Sequence, residues 1–347
     1  MIYAVLYNPG HNRVYFEASL TLAVSEFNIV SQRLSVKCGD VRNRKICGVD
    51  YLVFHTGGGL SGSDIKILSE LSFAYAFFEL EQADGEYRFK PVAKTNEDFI
   101  GESIGMILKY KGKTNEIFTK MLMNIAYFSQ DKYGKIRLLD PVAGKGTTLY
   151  EGLVKGFDVY GVEIGEKITN EACSYLKKFL ETAKYKFSLQ TVKISGENKS
   201  FTACRHTFEI AGSKKDMKEK NTKTAEFIAG NSMYADRFFK KNYFDIIAGD
   251  LPYGVQHGNV TNEKQSSLTR NPAELLNACL PAWSRVLRVG GVIVLSWNSN
   301  VLRRDKMARI FEDNGLVVKN EGAQFEHKVD QTIKRDIIVA QKCAKTC

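Results

Sequence analysis

From residue 136 onward the sequence alternates between short apolar runs and longer amphipathic runs, and this alternation limits the possible folds more than any other feature. The apolar runs predict buried strands, and the runs of ten to sixteen residues between them predict helices. Predicted strands cover 136–140, 158–164, 225–230, 243–250 and 290–297, and predicted helices cover 147–156, 169–184, 272–287 and 303–315. Strands that alternate with helices indicate a doubly wound, mainly parallel α/β sheet with helices on both faces.

Two further regions flank this pattern. Residues 1–95 contain three short β-like runs, IYAVLY, YLVFHT and YAFFEL, which predict a small N-terminal α+β domain that could bind RNA. Residues 96–113 are interpreted as a linker, and 114–347 as the second domain. That domain should open with a helix capped by Thr114, and the stretch 324–342 predicts two strands at an antiparallel edge of the sheet.

Residues 184–223 interrupt the alternation and carry much of the positive charge of the chain. The formal net charge of the protein is +10, and this insertion holds ten Lys or Arg against four Asp or Glu. Its first part alternates like a hairpin, and 212–223 is predicted to be flexible. The insertion is either a solvated segment or, together with basic surface in the N-terminal region, a means of holding nucleic acid.

Composition argues against several classes of protein. Seven cysteines without a C-x-x-C pair do not form a disulfide framework, and the five histidines do not stand at metal-ligand spacing beside them. We therefore expect no metal site, and reduced thiols in a cytoplasmic protein. No apolar run is long enough for a membrane span, and the N-terminus is interpreted as a first strand rather than a signal peptide.

The first strand of the alternating region ends in the motif DPVAGKGTT, which begins at Asp140. Gly144 and Gly146 permit a tight turn and let the backbone approach a ligand, and the Asp140 carboxylate suits a cationic group. The third glycine of the dinucleotide fingerprint is replaced by Leu149, and this disfavours a nicotinamide dehydrogenase. The motif alone is also compatible with an ordinary turn.

Polar residues follow the next two predicted strands as well. Glu163 ends the second strand, where an acid can accept hydrogen bonds from a ribose diol, although a glutamate that begins a helix is also common. Asn231 and Ser232 follow the third strand and could read the edge of an adenine ring. Ligands in doubly wound sheets bind at the carboxyl ends of the strands, so these residues should share one site.

The fourth strand ends in Asp250, Leu251, Pro252 and Tyr253. Pro252 fixes the backbone, which should present the Asp250 carboxylate and the Leu251 carbonyl as two acceptors beside an exposed tyrosine ring. Two acceptors and an aromatic face suit a planar ring with an exocyclic NH2 group. D-x-P-x is also a turn sequence, but a turn alone does not explain a carboxylate at the functional edge.

Together, D-P-x-x-G-x-G-T, the acid at 163 and D-L-P-Y-G resemble the S-adenosylmethionine-dependent amino-methyltransferases, which carry an (Asp/Asn)-Pro-Pro-(Tyr/Phe) motif. The resemblance covers about residues 97 to 341. The leucine at 251 and the trailing Gly-Val are most similar to the tRNA guanosine-N2 methyltransferases, which often add an RNA-binding THUMP domain. About 95 residues precede this region. That length is short for a complete THUMP module together with its companion ferredoxin-like domain.

The resemblance implies a Rossmann-like methyltransferase sheet, S-adenosylmethionine as cofactor and tRNA as partner. It implies cofactor contacts at Phe118, Thr119, Asp140, Pro141, Gly144, Gly146, Thr147, Glu163, Asn231 and Ser232. Asp250, Leu251, Pro252 and Tyr253 would bind the substrate amine. DNA adenine or cytosine and a protein glutamine amide present the same NH2 group and stay open as substrates. A non-catalytic nucleic-acid-binding protein also stays open, although the intact glycines and acids argue against it.

Overall fold

The computed structural model describes residues 1–8, 13–83, 85–107, 114–132, 134–253, 271–320 and 325–344. Gly254 and Val255, which trail the DLPY motif, lie outside the described residues, as does the end of the predicted linker, 108–113.

The chain divides into two compact units. The first comprises Met1–Glu97 with Gly322–Lys334, and the second comprises Asp98–Glu321 with Arg335–Cys347. The first break lies near the sequence-based boundary at 95. Most of the sequence-based linker, 98–113, belongs to the second unit, and it includes a short helix, Ser103–Ile107.

The first unit is an antiparallel sheet with helices. Its strands are β1 (Ile2–Tyr7), β2 (Cys38–Ile46), β3 (Val49–Thr56), β4 (Ala74–Ala83) and β5 (Glu86–Val92), and its helices are α1 (Arg13–Val30) and α2 (Gly62–Ser69). The strand order is β2-β3-β1-β4-β5, and each neighbouring pair is antiparallel. The first six elements therefore form a ferredoxin-like split β-α-β arrangement, to which β5 adds an edge. The small α+β domain predicted at the N-terminus is confirmed.

The second unit contains the alternating elements. Its helices are α3 (Ser103–Ile107), α4 (Glu116–Ser129), α5 (Thr147–Val154), α6 (Glu166–Thr182), α7 (Lys214–Lys218), α8 (Ala235–Phe238), α9 (Pro272–Val286) and α10 (Arg304–Asp313). Its strands are β6 (Arg137–Asp140), β7 (Asp158–Glu163), β8 (Lys186–Ser195), β9 (Thr202–Ala211), β10 (Lys223–Ala229), β11 (Phe244–Asp250), β12 (Leu287–Asn298), β13 (Leu316–Val318) and β15 (Lys334–Lys342). The short β14 (His327–Lys328) falls within the segment that groups with the first unit.

The sheet of the second unit runs in the order β13-β15-β12-β11-β6-β7-β10-β9-β8. Strands β10, β7, β6, β11 and β12 are parallel, and β15 joins β12 in the antiparallel sense. The predicted Rossmann-like doubly wound α/β sheet with an antiparallel edge is therefore confirmed. The chain moves from β6 to β7 on one side and later returns to β11 on the other, so the topological switch point lies beside β6.

The insertion extends the sheet as an antiparallel hairpin. Strand β9 pairs with both β8 and β10, as the alternating pattern of its sequence predicted. Within the stretch 212–223, which the sequence predicts to be flexible, the structure contains the short helix α7. The Ser213 side chain accepts a hydrogen bond from the Asp216 amide and so caps this helix.

Helix α5 packs very closely against strands β6 and β7 of the sheet. A Cβ atom added at Gly152 of α5 would lie 2.7 Å from Leu138 Cδ2 and 2.8 Å from Val159 Cγ1. Glycine is therefore required for this helix to pack directly on β6 and β7.

We expect Gly152→Ala to lower the free energy of unfolding by about 1–3 kcal/mol, because the buried Leu138 and Val159 must move to admit a methyl group. Urea denaturation measures this loss. Gly212→Ala is the matched control, since a Cβ there would meet only Asp216, at an ordinary 3.7 Å. Equal stability of the two variants would contradict the packing argument.

No helix among the described residues is both long and apolar enough to cross a membrane.

Candidate active site

Three acidic residues lie at the carboxyl ends of neighbouring parallel strands. Asp140 ends β6, Glu163 ends β7 and Asp250 ends β11. Gly249 shows how closely β11 approaches Asp140, since a Cβ atom there would lie 2.7 Å from Asp140 Oδ1. The residues that the sequence singled out on three separate strands therefore lie at one edge of the sheet.

The glycine loop is tied to the acid of the second strand. Gly144 has a φ of +52° and donates its amide hydrogen to Glu163 Oε2 over 3.0 Å. The Gly165 amide donates to Glu163 Oε1 over 2.8 Å. Gly146, with a φ of +87°, stands at the N-cap position of α5. Both loop glycines occupy left-handed backbone, which other residues rarely adopt, and a Cβ at Gly144 would meet no atom within 4 Å.

The electrostatics of this edge favour a cationic ligand. Burial raises the pKa of Asp140 to about 7, and the nearby charges of Asp250 and Glu163 contribute to the rise. Burial also raises the pKa of Glu163, against the opposing effect of its amide donors. A bound cation would favour the ionised form of Asp140 beside these two neighbouring carboxylates.

Asp250 is held by several donors. Thr114 Oγ1 donates to its Oδ2 over 2.7 Å, and the Tyr253 hydroxyl donates to its Oδ1 over 2.6 Å. The Ser296 hydroxyl also donates to Oδ1. Arg335 Nη2 lies 3.7 Å from Oδ2, and the carboxylate side chain is 17% exposed.

Arg335 and Tyr253 form the wall beside this carboxylate. Arg335 is only 5% exposed, and its guanidinium carbon lies 4.2 Å from the ring centroid of Phe118 and 5.2 Å from that of Tyr253. The tyrosine ring was expected to be exposed, but it is half-buried because its hydroxyl turns back onto Asp250. Burial and the charge of Asp250 raise the pKa of Tyr253 well above its ordinary value, so its hydroxyl stays a donor.

The other predicted motif residues have structural partners of their own. The Leu251 amide donates to the Ser296 carbonyl over 2.8 Å, and the leucine side chain is buried. Phe118 is buried beneath Arg335, and the Thr119 hydroxyl donates to the Asn115 carbonyl over 3.1 Å. Helix α4 is capped by Asn115, whose side chain accepts the Ile117 and Phe118 amides, and not by Thr114 as predicted. Thr114 contacts Asp250 instead.

The residues predicted beside adenine differ in their availability. Asn231 lines a cavity, and its Oδ1 accepts the Met233 amide over 3.0 Å. Ser232 is buried, and its hydroxyl accepts a hydrogen bond from Trp283 Nε1 over 2.8 Å. Pro141 and Thr147 are buried beside the glycine loop. Of the two polar side chains after β10, Asn231 is therefore the better placed to meet a ligand.

Sequence reasoning missed that Thr114, Ser296 and Arg335 contact Asp250. Ser296 carried one usable signal, because it is a polar residue at the end of an otherwise apolar strand run. Arg335 follows Asp250 by 85 positions and reaches it only because β15 folds back antiparallel beside β12. Neither its spacing nor its residue type indicates that contact.

Comparison with known proteins gives distant structural likenesses. No protein-family model matches the sequence, and no curated protein matches it. A SAM-dependent methyltransferase from Leishmania major is 13% identical over 60% of this chain and 65% of that chain, with a TM-score of 0.35. Magnesium protoporphyrin IX methyltransferase from Synechocystis, solved with bound SAM, is 13% identical over 67% and 86%, with a TM-score of 0.37. A candidate RNA methyltransferase from Pyrococcus horikoshii is 15% identical over 71% and 96%, with a TM-score of 0.38.

This chain spans just under two thirds of the Leishmania protein. At TM-scores below 0.5 these likenesses assign no activity, and the fold rests on the strand order given above.

Proposed function

We propose that this protein is an S-adenosylmethionine-dependent methyltransferase that acts on an exocyclic amino group of a nucleobase, with guanine N2 in tRNA as the favoured target. One observation carries the proposal. Asp250, at the head of the DLPY motif, lies at the same sheet edge as the glycine loop and the acids Asp140 and Glu163.

The residues at this edge fit the cofactor. S-Adenosylmethionine carries positive charge on its ammonium and sulfonium groups, and this charge suits an edge where the charges of Asp250 and Glu163 raise the pKa of the buried Asp140. Asp140 would hold the ammonium group and Glu163 the ribose diol. The open backbone at Gly144 leaves room for close approach. When bound, the cofactor supplies an activated methyl group, so the protein need not provide a nucleophile or a metal.

The chain's own contribution is to bind and orient the amine. An aromatic exocyclic amine is a weak nucleophile because its lone pair is delocalised into the ring. Hydrogen bonds from the amine to the Asp250 carboxylate and the Leu251 carbonyl would favour a pyramidal nitrogen and stabilise the positive charge that develops on it. For this contact the Tyr253 hydroxyl must release Asp250, because an incoming N–H competes for the same oxygens.

The positive charge of the insertion, which holds ten Lys or Arg against four Asp or Glu, supports a nucleic acid as partner. Residues 1–95 carry ten Lys or Arg and ten Asp or Glu, so the expected basic surface of the N-terminal region is not matched by any net charge. The lysine-rich helix α7 follows the end of β9, where Ile210 pairs with Lys223 at the start of β10. The length of β10, about 20 Å at ~3.3 Å per residue, separates α7 from the carboxyl edge. A polyanion that touches both must extend over several nucleotides.

Incubation of the purified full chain with methyl-labelled cofactor and, in parallel, bulk tRNA, ribosomal RNA and DNA tests the proposal. Nucleoside analysis should find label in N2-methylguanosine from tRNA. Label in DNA adenine or cytosine would move the substrate to that alternative. A chain that does not bind S-adenosylmethionine would overturn the methyltransferase proposal itself.

Cofactor binding should strengthen as the pH rises through 7. Asp140, with a pKa of about 7, is mostly neutral at pH 6 and mostly ionised at pH 7.5, and only the ionised carboxylate attracts an ammonium group. Over this range the ligand's α-amino group stays largely protonated, so we expect an affinity gain of roughly fivefold to tenfold. Calorimetric titration at several pH values measures it, and Asp140→Asn should abolish the dependence. The same pH dependence in that variant would contradict the assignment.

A further inference from the structure

A cavity of about 850 Å³ opens one residue beyond Glu163, at the carboxyl end of β10. This volume lies within the range of roughly 300–1,000 Å³ that is typical of small-molecule sites. Ile164 lines it after β7, and Asn231 and Met233 line it after β10. The inserted hairpin supplies another wall, which includes Ile194 and Phe201.

The register of the hairpin explains why its tip reaches this site. Cys204 of β9 pairs with Ala229, the last residue of β10, and Thr202 pairs with Ser195 across the hairpin. The residues between 195 and 202 therefore project past the end of β10, onto the edge of the sheet where Glu163 lies. The tip of the insertion is a wall of this cavity, whereas the lysines of α7 lie at the opposite end of β9.

The wall is held in place by aromatic packing. The Phe201 ring stacks on Tyr234, with centroids 5.0 Å apart and planes 27° apart, and its edge meets Phe238 at 5.5 Å. Two large apolar side chains that also line the cavity, Ile164 and Met233, are 43% and 39% exposed. Exposed apolar side chains beside a fixed aromatic ring suit the face of a planar heterocycle.

We infer that the inserted hairpin forms the outer wall of the adenosine pocket, and that Phe201 and Ile194 contact the adenosyl group of the cofactor. The inference rests on the proposed function, since it takes the ligand of Glu163 to be the cofactor ribose. A purine from RNA has the same ring chemistry. The cofactor is the favoured source because the cavity begins at the residue that follows Glu163, where the adenine of a ribose-bound nucleoside would lie. The insertion then serves cofactor binding rather than acting only as a nucleic-acid finger.

The test is calorimetric titration of the full-length protein with S-adenosylmethionine and, separately, with adenosine. Phe201→Ala should raise the Kd for both ligands about tenfold or more, because one aromatic contact to a base is lost. Phe187→Ala is the matched control. It removes the same type of side chain from the same hairpin, but the Phe187 ring does not line the cavity. Its centroid lies 6.1 Å from that of Phe208. This control should bind both ligands as the unmodified protein does.

Hydrogen exchange on the unmodified protein provides a second measurement, which does not depend on how the variants fold. S-Adenosylmethionine should slow exchange of the amides between 196 and 201 and leave those of α7 unchanged. If the unmodified protein binds the cofactor but Phe201→Ala matches the control and the tip gains no protection, the inference fails while the proposed function stands. If a parallel titration with tRNA shows that Phe201→Ala weakens RNA binding while the Kd for S-adenosylmethionine is unchanged, the purine comes from RNA and the inference also fails. If the unmodified protein binds neither ligand, the proposed function fails first.

Discussion

Replacing Asp250 with alanine is expected to lower turnover at least about a hundredfold while the Kd for S-adenosylmethionine changes little. The proposed function places the substrate amine at this carboxylate, whereas it assigns the ammonium group and the ribose of the cofactor to Asp140 of β6 and Glu163 of β7. Loss of Asp250 also removes a like charge that raises the pKa of Asp140, so cofactor binding near pH 6 should not weaken. Single-turnover kinetics with labelled cofactor, together with calorimetry, measure the two quantities.

The control for this prediction lies on the same strand. Asp245 is also a buried carboxylate of β11, and it accepts hydrogen bonds from Lys132 and Arg288 at 2.8 Å. Asp245→Asn weakens a comparable network at the opposite end of the strand, so it should reduce stability without slowing methyl transfer. Turnover by Asp250→Ala within a few-fold of the unmodified protein would end the proposed role of the carboxylate.

The sequence was sufficient to predict where the acids meet, because that follows from topology. Continuous apolar runs, most of them separated by predicted helices, favour a parallel sheet with crossovers, and parallel strands end at one edge. Asp140, Glu163 and Asp250 each follow such a run directly, so their common edge needs no knowledge of side-chain contacts. Residues read from strand ends were therefore placed correctly at that edge.

Contacts between residues that are far apart along the chain could not be predicted from the sequence. Thr114 fits the pattern of a helix cap, but Asn115 takes that position and the threonine bonds to a residue 136 positions away. Helix α1 was missed because RVYFEASLTLAVSEFNIV is rich in β-branched and aromatic residues, and the three-residue β13 was missed because so short a run carries no period. Helix α7 could have been found, since Ser213 stands three residues before Asp216 in the manner of a helix cap.

Replacing Arg335 with glutamine should lower the free energy of unfolding by about 3 kcal/mol, the lower end for a broken buried ion pair, because Asp250 is partly exposed. The loss should be smaller when Asp250→Asn is already present, since no buried charge is then left without its partner. Urea denaturation of the unmodified protein, the two single variants and the double variant measures this coupling.

Turnover should fall as well, because the Arg335 guanidinium packs between the rings of Phe118 and Tyr253 and so positions the tyrosine beside the substrate amine. Arg335→Lys keeps the charge but not the planar group that lies over both rings. It should therefore recover stability in part and leave kcat low with KM raised. Arg304→Gln, which removes an arginine that pairs with Asp336 at 2.6 Å, is the control for loss of an ion pair, because Asp336 follows Arg335 on β15 and successive side chains of a strand point to opposite faces. If Arg335→Gln were as active as Arg304→Gln, Arg335 would have a structural role alone, and Tyr253 would hold its position without it.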